Sequence, residues 1–176
     1  MKDVLGKFLL QWRLNIVLPH INGRLLDIGC GTNELVRRHV GKGIGVDVYD
    51  WGDVDCVVED TSKLPFANEE FDTVSIVAAL NHIPNREDVL KEAYRCLRPN
   101  GKMLVTMIPP AISFIWHTLR RPWDVDQKER GMKKGEVYGL SREQIHSLLE
   151  SARFTVISDE YFMFGFNLLT IAIKPN

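Results

Sequence analysis

The sequence predicts a three-layer, doubly wound α/β domain with a mostly parallel seven-stranded sheet that ends in an antiparallel hairpin. Three observations lead to this fold class. Short and nearly continuous apolar runs alternate with helix-like segments, as is typical of parallel strands covered on both faces. A turn containing Gly29 and Gly31 follows the first run. The last two apolar runs are separated only by a short turn at 165–167, which predicts the hairpin.

Seven apolar runs predict the strands. The parallel strands are expected at 24–29, 43–48, 55–59, 71–80 and 102–108, and the hairpin strands at 154–162 and 167–175.

Helix-like patterns lie between these runs, and polar residues mark where the helices begin. We expect helices at 33–40, 86–97 and 141–152. Asn33 and Asn85 are predicted to cap the first two, because asparagine favours the N-cap position. Ser141 and Gln144 have the spacing of a capping box at the start of the third.

The second and third strands are too close in the chain for an ordinary crossover. Six residues, 49–54, separate Val48 from Asp55, whereas a parallel crossover usually takes about ten or more. The helix of this crossover is therefore predicted to be missing or reduced to a turn. The face it would cover is left to the N-terminal helix, to the segment 110–140 or to a partner subunit.

Length and pattern predict one domain spanning 1–176. Its expected parts are an N-terminal helix at 1–22, a core at 23–109, an insertion at 110–140, and a helix and hairpin at 141–176. The insertion is either a solvated loop or a lid that builds an acceptor pocket.

Composition excludes several classes of protein. The formal net charge of −1 makes nucleic acid an unlikely partner. The cysteines and histidines have no metal-ligand spacing, so no metal site is expected, and free thiols indicate a reducing, cytoplasmic location. No segment is apolar enough to predict a transmembrane span.

The glycine turn predicts a ligand that comes close to the backbone. A dinucleotide site has the pattern GxGxxG, and here the third position is Glu34, whose carboxylate would repel a pyrophosphate. S-adenosylmethionine carries no phosphate and fits the turn better. Asp27, just before the turn, is expected to order the region around its ammonium group.

Two acids lie at the ends of the second and third strands. Asp47, at the end of the second strand, is expected to accept hydrogen bonds from both ribose hydroxyls. Asp60, followed by Thr61, is placed to accept a hydrogen bond from the adenine amino group. These features favour a nucleoside ligand.

Four motifs in order resemble the class I S-adenosylmethionine-dependent methyltransferases, and in particular their small-molecule, quinone-biosynthesis-like group (methyltransferase type 11). They are LLDIGCGTN, GVDVYD, EDTSKLPFANEEFDTVSIVAALNHI and LKEAYRCLRPNGKMLVTM. The resemblance covers about 23–109 and, less specifically, 141–176. It implies a Rossmann-like fold in which Gly29, Cys30 and Gly31 contact the methionine part of the cofactor and Asp47 holds the ribose. Val48, Asp60 and Thr61 are then expected to contact the adenine, and Ala78 to face the cofactor from the fourth strand. With the crossover so short, Tyr49 or Trp51 is expected to close the adenine pocket.

The acceptor side is less defined. His82 follows the fourth strand and is the candidate general base, with packing at the pocket floor as the alternative. The insertion supplies the acceptor-pocket candidates His117, Arg121, Trp123 and Asp124.

The predicted function is methyl transfer from S-adenosylmethionine to a small-molecule acceptor by in-line displacement. Alignment of the reactants is the main task of such a protein, so a base is not obligatory. Two alternatives stay open: a catalytically silent module that binds S-adenosylmethionine, and a nucleotide-dependent oxidoreductase. A homo-oligomer also stays open.

Overall fold

The computed structural model describes residues 4–110 and 135–176. Its strands are β1 (Leu25–Ile28), β2 (Gly43–Asp47), β3 (Cys56–Val57), β4 (Phe71–Val77), β5 (Leu97–Met107), β6 (Thr155–Phe162) and β7 (Asn167–Ile173). Its α-helices are α1 (Val4–Val17), α2 (Glu34–Arg38), α3 (Arg86–Cys96) and α4 (Arg142–Ser151), and 3-10 turns lie at Leu18–His20 and Leu80–His82.

All seven strands form one sheet in the order β3-β2-β1-β4-β5-β7-β6. The first five strands run parallel, and β7 runs antiparallel to both β5 and β6. The predicted fold class is confirmed, including the C-terminal hairpin. The strand order reverses between β1 and β4, and ligands bind α/β sheets at such a switch point.

Apolar side chains cover both faces of the sheet. On one face, α3 and α4 pack against alternate residues of β1, β4, β5 and β7; the fully buried contributors from the helices are Val89, Leu90, Ala93, Cys96, Ile145 and Leu149. On the opposite face, α1 and α2 pack on the intervening residues; the buried contributors there include Leu14, Val17, Leu25, Leu35, Leu104 and Leu169. The alternation follows from the two-residue period of a strand.

The described residues contain no helix that is both long enough and apolar enough to span a membrane.

Two helix starts differ from expectation. Ser141 and Gln144 form the predicted capping box. Asn85 precedes α3 but makes no side-chain cap; its amide donates instead to Asp60 Oδ1 at 3.0 Å. Asn33 precedes α2 in the left-handed region (φ 57°) and also makes no side-chain cap. Both asparagines thus occupy the predicted N-cap positions, but neither side-chain oxygen caps its helix, because each amide group is oriented by donating to an acceptor on a neighbouring loop.

No helix connects β2 to β3, as the short spacing predicts. Of the three covers considered for the face beside β2, α1 is not the one, because it packs over β1, β5 and β7. On this face β2 carries glycines at 43 and 45. The Val36 side chain of α2 lies over Gly43, and the Asn33 amide lies over Gly45. This edge of the sheet has little apolar surface to bury, so a polar cover is sufficient.

Candidate cofactor-binding site

A cavity of about 270 Å³ lies where β1, β2 and β4 end. It is lined by Gly29, Gly31, Thr32, Asp47, Val48, Trp51, Thr61, Val77, Ala78, Ala79, His82 and Ile83. This is the carboxyl edge of the sheet at its topological switch point, where doubly wound folds bind ligands.

A larger cleft of about 610 Å³ lies between the start of α3 and α4, lined by residues of 84–88, 140, 143, 144, 147 and 148. No strand ends in this cleft and the glycine turn is not part of it. The smaller cavity is therefore the candidate site, because it combines the glycine turn with the acid at the end of β2.

The two positions of the turn require glycine for different structural reasons. Gly29 has φ +72°, and a Cβ there would lie 2.6 Å from the Ala79 Cβ, so Gly29 permits close packing of the turn against the end of β4. Gly31 has φ +54°, and a Cβ there would meet no atom within 4 Å. Its missing side chain therefore leaves open space at a residue that lines the cavity.

Asp47 ties the glycine turn to the end of β2. Its Oδ2 accepts a hydrogen bond from the Gly31 backbone N–H at 3.0 Å, and its Oδ1 accepts one from the Tyr49 N–H at 3.1 Å. The side chain is 7% exposed and lines the cavity. An ionised carboxylate has about four acceptor positions, so about two remain for a ligand.

Asp27 lies behind the cavity rather than in its wall. It is buried on β1, and Ser75 Oγ on β4 donates a hydrogen bond to its Oδ1 at 2.6 Å. Burial raises the pKa of Asp27 to about 7; the Ser75 hydrogen bond opposes this shift and the charge of Asp47 adds to it. Asp27 therefore orders the strand beneath the turn.

The Asn33 amide joins the glycine turn to the loop before β3. Its Nδ2 donates to the Asp53 carbonyl oxygen at 2.9 Å and to Asp55 Oδ2 at 2.8 Å. Asp55 Oδ2 also accepts from the Gly45 N–H at 2.8 Å. These three bonds connect the turn before α2, strand β2 and the β2–β3 loop in place of the missing helix.

Cys30 also lies beneath the turn, with its Sγ close to the position that a Cβ at Gly45 would occupy. Burial, together with the charges of Asp27 and Asp47, raises the pKa of the Cys30 thiol well above its ordinary value. A thiol of raised pKa is a poor nucleophile, so Cys30 fills space here.

Thr61 is buried and lines the cavity, whereas the neighbouring Asp60 does not. The Asp60 carboxylate accepts from the Ser62 backbone and hydroxyl, at 2.8 Å each, and from Asn85. These hydrogen bonds hold the pKa of Asp60 below its ordinary value, and the bond from the Ser62 backbone N–H has the largest effect.

The outer side of the cavity contains Val48 and Trp51. Tyr49 makes an edge-on ring contact with Trp51, with centroids 4.7 Å apart. Of the two aromatic residues expected to close the pocket, Trp51 lines it and Tyr49 supports it.

Residues 26–105 match the methyltransferase domain family. Over these residues the chain is similar to the class I S-adenosylmethionine-dependent methyltransferases. The chain is 32% identical over 130 residues to the ubiquinone/menaquinone biosynthesis C-methyltransferase UbiE of Ectopseudomonas mendocina, a match that covers 60% of this chain and 51% of that protein. The chain thus spans about half the length of the curated relatives it matches.

Solved methyltransferases share the fold. An S-adenosylmethionine-dependent methyltransferase from Thermotoga maritima superposes with a TM-score of 0.70 at 23% identity, covering 96% of this chain and 90% of that one. The 1,6-didemethyltoxoflavin-N1-methyltransferase of Burkholderia thailandensis, solved with 1,6-didemethyltoxoflavin and S-adenosylhomocysteine, gives 0.67 at 17% identity, covering 94% and 78%.

The fold thus brings together six of the nine residues predicted for the cofactor: Gly29, Gly31, Asp47, Val48, Thr61 and Ala78 line one cavity. His82, the candidate general base, lines it too, whereas Asp27, Cys30 and Asp60 lie outside its wall. The acceptor candidates His117, Arg121, Trp123 and Asp124 lie outside the described residues.

Several lining residues were not predicted. Thr32, Val77, Ala79 and Ile83 flank predicted positions, and nothing in their type distinguishes them from core residues. The sequence offers no signal for Glu136, which lies beside His82, because the two are 54 residues apart.

Proposed function

We propose that the chain binds S-adenosylmethionine in the 270 Å³ cavity and transfers its methyl group to a small-molecule acceptor. The main support is that Gly31 opens onto the same cavity as the Asp47 carboxylate. A ligand there can approach the backbone of the turn while its ribose hydroxyls reach Asp47, so the residues present fit the cofactor.

Bound S-adenosylmethionine would supply a methyl group on a sulfonium that leaves readily. The protein's part is to hold the donor, align an acceptor and exclude water, and alignment alone can contribute about 7–11 kcal/mol. The turn at Gly29 and Gly31 would hold the methionine part, Asp47 the ribose, and Val48, Trp51 and Thr61 the adenine end. Ala78 lies at the end of β4, where the methyl group would face the acceptor.

The site is poorly suited to a dinucleotide. The helix after the turn has only five residues and starts at Glu34. The Glu34 carboxylate pairs with Gln11 and Arg37 and does not line the cavity. The missing third glycine and the short helix therefore disfavour the oxidoreductase alternative.

Calorimetry with S-adenosylmethionine and with NAD tests the proposal. We expect S-adenosylmethionine to bind and Asp47→Ala to weaken its binding about 10–100-fold, because charge-assisted hydrogen bonds contribute about 1.5–3 kcal/mol each. Asp50→Ala, an exposed acid on the same loop, is the matched control and should retain wild-type affinity. Binding of NAD in place of S-adenosylmethionine would refute the proposal.

A panel of hydroxyl, amine, thiol and phenol acceptors separates an enzyme from a silent module. An enzyme converts S-adenosylmethionine to S-adenosylhomocysteine in proportion to methylated product, whereas a silent module binds the donor and yields none. The name of the E. mendocina relative refers to quinone biosynthesis and C-methylation, so phenolic and hydroquinone compounds are the first acceptors to try.

Three further predictions belong to this proposal. Residues 110–140 form a lid whose His117, Arg121, Trp123 and Asp124 contact the acceptor.

The protein acts in the cytoplasm, where the thiols of Cys30, Cys56 and Cys96 stay reduced. It assembles as a homo-oligomer, which light scattering on the purified chain tests directly.

A further inference from the structure

Three carboxyl groups lie around the glycine turn that follows β1. Asp27 is buried beneath the turn, Asp47 lines the cavity, and Asp55 lies in the loop before β3. Burial raises the pKa of the Cys30 thiol within the turn, and the charges of all three acids raise it further, so the three act on the same point. Among residues 4–110 and 135–176, no lysine, arginine or histidine forms an ion pair with any of the three. The floor of the cavity therefore has a negative potential, which favours a cationic ligand.

Asp27 is the least solvated of the three acids. It is 2% exposed, and the Ser75 hydroxyl donates to its Oδ1 at 2.6 Å. Burial raises the pKa of Asp27 to about 7; the Ser75 hydrogen bond opposes this shift, and the charge of Asp47 adds to it. Asp27 therefore holds a proton in the ligand-free protein below about pH 7. A positive charge in the cavity would favour the ionised form, because an opposite charge lowers the pKa of a carboxyl group.

Few titratable groups surround Asp27 in the part of the chain that the structure describes. The charge of Asp47 acts on it from β2, and the Cys30 thiol, whose raised pKa keeps it uncharged, lies in the turn. On β4 the facing group is the Ser75 hydroxyl, which does not titrate. His82 lines the same cavity and is of a type that titrates near neutral pH. The charged side chains of α1 and α2 have other partners or are exposed: Arg13 with Asn167, Glu34 with Gln11 and Arg37, Arg37 with Asp53, Arg38 with Gln11 and Asn15, and exposed Lys7.

The turn holds the carboxyl group of Asp27 close below the position proposed for the methionine part of the cofactor. The Gly29 and Cys30 N–H groups both donate to the Val46 carbonyl, at 2.8 Å and 3.1 Å, so the backbone of the turn is fixed to β2. The methionine part carries both cationic groups of S-adenosylmethionine, the ammonium and the sulfonium. Charges in a poorly solvated site act on each other over several ångströms, so Asp27 can respond to the ligand without touching it.

We propose that Asp27 makes the site prefer the methyl donor, S-adenosylmethionine, over its product, S-adenosylhomocysteine. This inference rests on the proposed function. The donor has one net positive charge, whereas the product has lost the sulfonium charge and is neutral overall. Donor binding releases the Asp27 proton to solvent, and the resulting carboxylate attracts the cation. After methyl transfer Asp27 takes a proton back from water, and the product is no longer held by this attraction.

Calorimetry of donor binding in two buffers of different ionisation enthalpy counts the protons released. The full chain is used at pH 6, below the pKa of the ligand's own amino group, which is about 8. We expect the wild type to release about half a proton or more for each S-adenosylmethionine bound. Asp27→Asn, which resembles the protonated acid, should lose most of this release, and Asp50→Asn, at an exposed acid, should keep it.

Two outcomes of the calorimetry would overturn the assignment. One is equal proton release by the wild type and Asp27→Asn. The other is release that persists in Asp27→Asn and disappears in His82→Gln, because the proton would then come from the histidine.

The pH dependence of the two affinities tests the selectivity itself. Donor binding lowers the pKa of Asp27, so donor affinity should rise with pH up to about 7 and then level off, by at most about tenfold per pH unit. The affinity for S-adenosylhomocysteine should change less. The preference for the donor should therefore grow about fivefold between pH 5.5 and pH 7.5 in the wild type and stay constant in Asp27→Asn.

A second variant leaves Asp27 in place. Ser75→Ala removes the hydrogen bond that favours the ionised carboxylate, so the rise in donor affinity should move to higher pH. A donor preference that does not change with pH in the wild type, or that changes equally in Asp27→Asn, would overturn the inference.

The two levels of the proposal can fail separately. Absence of S-adenosylmethionine binding in calorimetry removes the proposed function. Normal binding without proton release, and with a donor preference independent of pH, removes only the role of Asp27.

Discussion

Two crossovers of this sheet connect parallel strands by different means. Between β4 and β5, the eleven-residue helix α3 buries Val89 and Leu90 completely against the sheet. Between β2 and β3 there is no helix, and the loop is held by hydrogen bonds between Asn33, Asp55 and Gly45. The first connection is stabilised by apolar burial, and the second by a few polar contacts.

The difference follows from what each strand presents to the connection. Strand β4 has large apolar residues, Val74 and Ile76, under α3, and their burial favours a helix above them. Strand β2 presents Gly43 and Gly45, which leave little apolar area to cover. A short polar loop then suffices, and it leaves the adjacent carboxyl ends accessible to a ligand.

The largest effect is expected in the apolar connection. Leu90→Ala should lower the free energy of unfolding by about 2–5 kcal/mol, because a fully buried leucine leaves a cavity when it is truncated. Urea denaturation measures the change. A decrease in the free energy of unfolding below about 1 kcal/mol would mean that α3 stabilises the fold no more than the polar loop does.

The buried carboxyl group of Asp27 makes the stability of the folded protein depend on pH. The folded state keeps the Asp27 proton up to about pH 7, whereas the ordinary value is 3.8. Between these values the folded state holds the extra proton, so stability falls as pH rises, by roughly 1.4 kcal/mol per unit and at most about 4 kcal/mol in total. Asp27→Asn should abolish this slope in denaturation measured from pH 4 to 8.

The exposed Asp50→Asn variant is the control and should keep the wild-type slope. Parallel stability curves for the wild type and Asp27→Asn would show that Asp27 is ionised in the folded protein.

A smaller effect is expected in the polar connection. Asp55→Ala removes the acceptor shared by Asn33 Nδ2 and the Gly45 N–H, which should destabilise the protein by about 1–3 kcal/mol. Asp53→Ala is the matched control: its side chain is 61% exposed and pairs with Arg37, so its loss should be below about 1 kcal/mol. Equal effects of the two variants would contradict the bridging role of Asp55.

Much of this protein could be predicted from local sequence. The apolar runs gave the strands and their parallel arrangement, because burial on both faces imposes a continuous apolar pattern. The count of residues between Val48 and Asp55 was enough to predict the missing helix, since chain length limits what can fit. Gly31 and Asp47 were predicted for the cofactor because strand ends and glycine turns have recognisable spacing.

Only the tertiary structure decided which side chains meet across the sheet. Asn33 occupies the predicted N-cap position of α2, but its Nδ2 donates to Asp55 Oδ2 at 2.8 Å and its side-chain oxygen makes no cap. Gly29 was expected to admit the ligand, yet its lack of a Cβ also lets the turn pack against Ala79. The contact between His82 and Glu136 likewise joins distant segments. Local patterns report backbone preference and burial, whereas such contacts depend on strand order and register, which arise only when the whole sheet has formed.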